Sequence, residues 1–323
     1  MRKKVAFVTG IGGQDGSYMA ELLLEKGYEV HGLIRRSATP NTKNISHLID
    51  KITLHKGDLS DFGSIVNVIQ KIKPDIVFNL GAMSHVRISY EMPLYTADVT
   101  GLGIARILEA CRLFAPEAKI YQASSSEMFG KVQEIPQKET TPFYPRSPYG
   151  CAKAFAFYFA RSYREGYGMK VYNGILFNHE SPRRGENFVT KKIVDGAIDI
   201  KLGKKKTLSL GNLDAKRDWG SSKDYMEAIL EYVETQEPSD FLLATGETHS
   251  VEEFVKGVFD YLKLGDWRQY VVIDEGLKRP AEVDLLLGDA YKAKERIGFV
   301  PKMKFNEIIK WMCDDGLKEH EKR

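Results

Sequence analysis

Cysteine is scarce, with three in 323 residues (Cys111, Cys151 and Cys313), odd in number and far apart. That excludes a disulfide framework. Cys151 reads as a small packing residue, since no cysteine-nucleophile context surrounds it. No apolar run approaches the ~20 residues of a membrane span. The basic opening MRKKVAFVTGIGG meets only a short apolar stretch and has no small-residue cleavage site, so it reads as a strand rather than a signal peptide. The expected compartment is the cytoplasm, with no membrane partner. Excess charge is missing too: 47 Lys+Arg against 44 Asp+Glu leaves +3. This gives no case for a nucleic-acid partner, and the lysines at 204 to 206 read as a solvated turn. The seven histidines show no metal-ligand spacing, so no metal is expected. Repeats and low-complexity linkers are absent.

What is present is alternation. KVAFVT reads as a strand, GIGGQDG as a turn, and SYMAELLLEKG as a helix with Met19, Leu22 and Leu23 at helical spacing, ending at Gly27. EVHGLI and ITLHKGD continue as strands, SIVNVIQKI as a helix, and DIVFNLGA as a strand. A helix then runs through Ile104, Ile107 and Leu108, and KIYQASSS and KVYNGILF are further strands. This order predicts an α/β chain with a doubly wound parallel sheet. The expected division is a dinucleotide-binding domain over 1–173 and a smaller, mixed lobe over 174–323. Segments around 239–246 are expected to return to the sheet.

Gly10, Gly13 and Gly16 sit between the first strand and first helix, where glycines let the backbone approach a pyrophosphate at a helix N-terminus. About 20 residues on, where an acid would select the NAD ribose, the chain has Arg35-Arg36. A guanidinium suits a 2′-phosphate, which favours NADP; the alternative is two solvated arginines. Asp58-Leu59 and the LGAMS stretch (Leu80, Gly81, Ala82, Ser84) close two strands at the edge where ligands bind. Ordinary turn chemistry is the alternative there.

Residues 149–153, YGCAK, place Tyr149 and Lys153 at i, i+4 on one helix face, behind a Ser147 cap and Pro148. A fixed ammonium favours the phenolate and is expected to lower the tyrosine pKa. ASSSEMFG brings Ser125 and Glu127 to the same sheet edge. This set resembles the extended short-chain dehydrogenase/reductases. In that superfamily the hydroxyl of Ser125 would bond the reacting sugar oxygen, Tyr149 would exchange its proton, and Lys153 would lower the tyrosine pKa and hold the nicotinamide ribose. Glu127 suits a dehydratase, which must remove a C5 proton once C4 is a ketone; a bare helix-start acid is the other reading.

LFNHESPRRGENFVTKKI, SLGNLDAKRDWGSSKDY and RPAEVDLLLGD carry the resemblance further. They are similar to the GDP-mannose 4,6-dehydratase family over nearly the whole chain. The resemblance implies NADP as cofactor and GDP-mannose as substrate. His179 and Arg184 would assist the cofactor, joined in its pocket by Gln14, Asp15 and Tyr95. Around the GDP-sugar it implies Ser84, Asn178, Lys192, Arg217, Arg279 and Glu282. It also implies a homodimer or homotetramer, with the loop after Arg35 in a subunit contact. Gly12 and Ser125 stand where that family usually has threonine, and Phe129 where it often has tyrosine. Ser126 replaces the acid of glucose-type dehydratases, leaving Glu127 to act as both base and acid. UDP-glucuronate decarboxylation, reduction of a GDP-4-keto-sugar and a silent dinucleotide sensor are the rival expectations.

Overall fold

The structure is a computed structural model describing residues 2–277 and 279–321. Its centre is a seven-stranded parallel sheet. The strands are β1 (Val5–Thr9), β2 (Glu29–Ile34), β3 (Thr53–Lys56), β4 (Ile76–Asn79), β5 (Lys119–Ser125), β6 (Val171–Leu176) and a late strand, Asp240–Leu243. From one edge the order is β3, β2, β1, β4, β5, β6 and then the late strand. All residues of β1, β4 and β6 are buried, as strands covered on both faces require. The order reverses between β1 and β4, which opens a ligand crevice at the carboxyl ends of the strands.

Two apolar layers cover the sheet. On one face α1 (Gln14–Glu25) and the helix Ser222–Thr235 bury Met19, Leu23, Ile229 and Tyr232. On the other, the helices Phe62–Ile72, Gly103–Phe114 and Pro148–Tyr167 bury Ile65, Ile107 and Ala160. The last of these starts as the sequence predicts: Ser147 caps it by accepting from Gly150 N–H at 2.9 Å, and Pro148 sits in the first turn. Gly168, at φ 67°, ends it.

The expected boundary at 173/174 falls inside β6, and Asp240–Leu243 pairs with β6 from Asn173↔Asp240 to Leu243↔Leu176. A third core lies beyond the sheet, where Val189–Lys201, Val251–Leu262 and Phe305–Glu321 close on Trp219, Phe254, Phe259 and Met312. Short strand pairs knit this lobe together, among them Asn178–Glu180 with Trp219–Ser221. Phe129 is fully buried, its ring 5.2 Å from Phe143 and 6.0 Å from Phe177. Lys204, Lys205 and Lys206 are exposed beyond Val189–Lys201. Among the described residues no helix is long and apolar enough to cross a membrane.

Candidate active site

The glycine turn is a matter of clearance. Gly10 takes φ 67°, and a Cβ there would lie 2.8 Å from Gly81 Cα; one on Gly16 would lie 2.3 Å from the Gly10 carbonyl oxygen. The chain therefore runs backbone against backbone, and the first turn of α1 starts at Gly13 with no side-chain cap. Its N–H groups are left for an incoming anion, so the residues present fit the pyrophosphate of a dinucleotide.

A buried polar ladder ties this turn to the chemistry. Thr9 Oγ1 donates to Asn79 Oδ1 at 2.7 Å and accepts from Gly81 N–H at 3.0 Å. Asn79 Nδ2 donates to Gln122 Oε1 at 2.7 Å, and Gln122 Nε2 donates to the Ala123 carbonyl at 2.9 Å. That carbonyl also accepts from Lys153 Nζ at 2.6 Å. Sequence reasoning did not single out these ladder residues. Their signal was a polar residue at one register position across three apolar strands, Thr9↔Asn79 and Asn79↔Gln122.

Ser125, Glu127, Tyr149 and Lys153 line one cleft of about 1110 Å³ between the sheet and the second half of the chain. Ser125 Oγ accepts from Glu127 N–H at 3.2 Å, and Ser125 acts on the Tyr149 phenol to lower its pKa. Tyr149, Lys153 and Glu127 are buried. The electrostatics differ from the expectation that the ammonium depresses the tyrosine. Burial pushes Tyr149 up to about 12, only partly offset by Ser125. Burial also lowers Lys153 to about 8. The reason is geometric: Nζ turns to the Ala123 carbonyl and stands 5.8 Å from the centre of the Tyr149 ring.

The opposite wall is a chain of alternating charges. Arg279 Nη1 lies 3.3 Å from Glu127 Oε1 and 3.6 Å from Glu282 Oε1. Glu282 Oε1 in turn lies 3.2 Å from Arg217 Nη2, and Arg217 Nη1 donates to the Val283 carbonyl at 2.6 Å. Burial lowers the Arg217 pKa. Burial also acts to lower Arg279, but the charges of Glu127 and Glu282 outweigh it and raise the value.

Asn178, Lys192, Ser84, Leu80, Gly81, Ala82, Gln14, Asp15, Arg35, His179 and Arg184 line the same cleft. His179 Nε2 contacts Asp15 Oδ2 at 2.8 Å, and its Nδ1 lies 2.7 Å from the Phe177 carbonyl. Both ring nitrogens are therefore occupied by the protein. Arg184 reaches Glu180 at 3.2 Å and stacks over Phe188. Three candidates lie outside the cleft lining. Asp58 closes an Asx turn with Ser60, and Leu59 packs against Gly81 from behind. Tyr95 accepts from Arg35 Nη1 at 2.6 Å and so reaches the cofactor candidates through that arginine. The cleft also contains His85 and Arg87, which LGAMS had stopped just short of. Cys151 is exposed rather than packed. Among the described residues no group of three or more His, Cys, Asp or Glu is placed to hold a metal ion.

A model of the family GDP-mannose 4,6 dehydratase matches residues 7–312. The chain is 52% identical to GDP-mannose 4,6 dehydratase 2 of Arabidopsis thaliana, covering 98% of this chain and 87% of that protein. It is 49% identical to the Homo sapiens GDP-mannose 4,6 dehydratase, covering 96% and 90% respectively. Among solved structures, the Thermus thermophilus UDP-glucose 4-epimerase complex with NAD is similar with a TM-score of 0.85 at 26% identity, covering 97% of this chain and 98% of that one. With a family match over most of its length and relatives at about half identity, the chain belongs to the GDP-mannose 4,6-dehydratase family.

Proposed function

We propose that this protein is a hydro-lyase that converts GDP-mannose to GDP-4-keto-6-deoxymannose, with NADP as a recycled cofactor. The observation that carries this reading is convergence. A hydroxyl, a carboxylate, a phenol and an ammonium (Ser125, Glu127, Tyr149, Lys153) share one cleft with a glycine turn and the guanidinium groups of Arg217 and Arg279, in a chain of this family. Arg35, exposed at the end of β2 where an acid would favour NAD, supports NADP.

In this reading Ser125 orients the C4 hydroxyl and Tyr149 takes its proton. The phenol is held protonated by burial, and positive charge brought beside it lowers its pKa towards working range. NADP bound at the glycine turn would accept the C4 hydride and hand it back at C6. The C4 ketone acidifies C5–H, and Glu127 removes that proton. The C6–O bond then breaks, Glu127 supplies the proton with which the hydroxyl leaves as water, and C5 takes a proton from solvent while Tyr149 returns the C4 hydroxyl's proton to solvent. Ser126 has no acid to offer that step, so one carboxyl serves twice.

Mass spectrometry of GDP-mannose incubated with the NADP-loaded protein tests the reading. Loss of one water without net NADPH release is expected. Net reduction of the cofactor would mean an ordinary dehydrogenase. Turnover of UDP-glucuronate with loss of carbon dioxide would mean the decarboxylase.

We also propose a cytoplasmic homodimer or homotetramer. Leu94, Leu102 and Phe155 are exposed around an apolar groove between Pro93–Leu102 and the helix Pro148–Tyr167, a face suited to a second copy of this chain. Light scattering after size exclusion checks it, and a monomer at micromolar concentration would overturn it.

A further inference from the structure

Arg279 divides one N–H edge between two carboxylates, at 3.3 Å from Glu127 and 3.6 Å from Glu282. Neither contact is the short, bidentate arrangement that makes an arginine–carboxylate pair strong, which lies at about 2.7–2.9 Å. Its neighbour is held quite differently. Arg217 is 5% exposed and fastened to the Val283 and Lys216 carbonyls as well as to Glu282. One guanidinium in this wall is therefore fixed and the other loosely shared. The loosely shared one rests on the carboxylate proposed to abstract the C5 proton.

A carboxylate with one oxygen turned to a guanidinium is occupied by that contact and directed away from a carbon-bound proton, so it is poorly placed to act as a base. A diphosphate offers Arg279 what the two carboxylates do not: adjacent anionic oxygens that accept a bidentate fork. Arg217, Arg279 and Glu127 border the same cleft, so a diphosphate bound beside Arg217 competes with Glu127 for Arg279.

We propose that Arg279 is a positioning residue that clamps Glu127 while the cleft is empty and releases it when a substrate diphosphate arrives. This rests on the nucleotide-sugar reading above. It goes beyond a simple grip on phosphate, because seating the diphosphate and freeing the base become one event. The coupling is reciprocal: whatever removes the negative charge of Glu127 strengthens diphosphate binding through Arg279.

GDP is the probe, since it carries the diphosphate but no sugar for Glu127 to touch. Its dissociation constant is measured by calorimetry on the NADP-loaded parent, Glu127→Gln, Arg279→Met and the double variant, with thermal melts to show that each is folded. Glu127→Gln is expected to bind GDP about five- to tenfold more tightly than the parent, within the range of coupling between contacting residues. Between Arg279→Met and the double variant the same change should have less than a twofold effect. Unchanged or weaker GDP binding by Glu127→Gln overturns the clamp, as does equal tightening with Arg279 absent, which would be bulk electrostatics. Failure of the parent to bind GDP at all would overturn the nucleotide-sugar reading together with the clamp, whereas normal GDP binding without the coupling overturns the clamp alone.

Discussion

Lys153 Nζ donates to the Ala123 carbonyl at 2.6 Å and stands 5.8 Å from the centre of the Tyr149 ring. Burial takes Lys153 from 10.5 down to about 8. The folded, cofactor-free protein thus carries an unfavourable buried charge at pH 7. That cost is fully present below about pH 8 and fades as pH rises towards 10.5, because the unfolded state then loses its proton too. Lys153→Met should abolish turnover yet stabilise the cofactor-free protein by about 1–2 kcal/mol at pH 7. The gain should shrink by pH 10. Urea unfolding at the two pH values checks it, and a variant less stable at pH 7 would show that the Ala123 bond outweighs the desolvation.

The Asp15–His179 contact joins the first turn of α1 to the strand Asn178–Glu180, with Ser222 Oγ adding a 2.8 Å bond to Asp15. Burial opposes the Asp15 charge, but His179, Arg184 and Ser222 outweigh it and hold the carboxyl well below its usual range. Burial likewise opposes the imidazolium, and Asp15 with the Phe177 carbonyl outweighs it and raises His179. The aspartate's share is present above about pH 4 and lost on acidification. The histidine's is present below about pH 6.5 and lost as pH rises through its raised value. Asp15→Asn should therefore cost most between these limits, about 1–3 kcal/mol. A penalty that grew steadily above pH 8 would contradict this account.

Cofactor choice is expected to rest on Arg35. Its replacement by Ala removes a charge-assisted bond to a 2′-phosphate, so NADP should bind about 10- to 100-fold more weakly while NAD changes little. Equal weakening of both would return Arg35 to an ordinary loop arginine held by Tyr95.

Glu127→Gln keeps the side chain's size but cannot accept the C5 proton. Single turnover should still show hydride leaving C4, while dehydrated product falls by about 10² to 10⁴. In deuterated water the parent should place deuterium at C5. Near-parental elimination by the variant, or retention of the original C5 hydrogen, would remove Glu127 from its role.

Gly12 has a local reason of its own. A Cβ there would lie 1.9 Å from the Asn41 carbonyl oxygen, and Asn44 Nδ2 already donates to the Gly12 carbonyl at 3.2 Å. Installing the family's threonine should push the 39–44 loop outward, cost about 1–3 kcal/mol, and make that loop an early site of limited proteolysis. A Gly12→Thr protein with parental melting and cleavage would show that the loop yields freely.

What could be read from the chain was whatever is local or periodic. The β1 turn and its helix announce themselves through glycine spacing beside an apolar run, and the Ser147-Pro148 start of the helix Pro148–Tyr167 follows from capping chemistry. Pairings across long stretches carry no such mark. Nothing near Arg279 says that it meets Glu127, 152 residues away, or that His179 meets Asp15. The tyrosine pKa differs from the expectation for a related reason: i, i+4 spacing sets which face two side chains share, but not how deeply they are buried or which carbonyl takes the ammonium. Asp58 and Leu59 show the same limit, since a strand end points at the ligand edge without saying which of its atoms line it, and Tyr95 sits in the short helix Pro93–Thr96 rather than at a strand end.

Asp240–Leu243 completes the sheet from deep in the second half, with Asn173 Nδ2 donating to Asp240 Oδ1 at 2.9 Å across the joint. During synthesis, β6 emerges from the ribosome more than sixty residues before its outer neighbour. Until that neighbour arrives, an apolar strand in β6 stands as a raw edge, open to pairing with other chains. The two halves are thus interlaced in time as well as in space: a gene fragment ending just after β6 would yield an adhesive sheet rather than a detachable nucleotide-binding module.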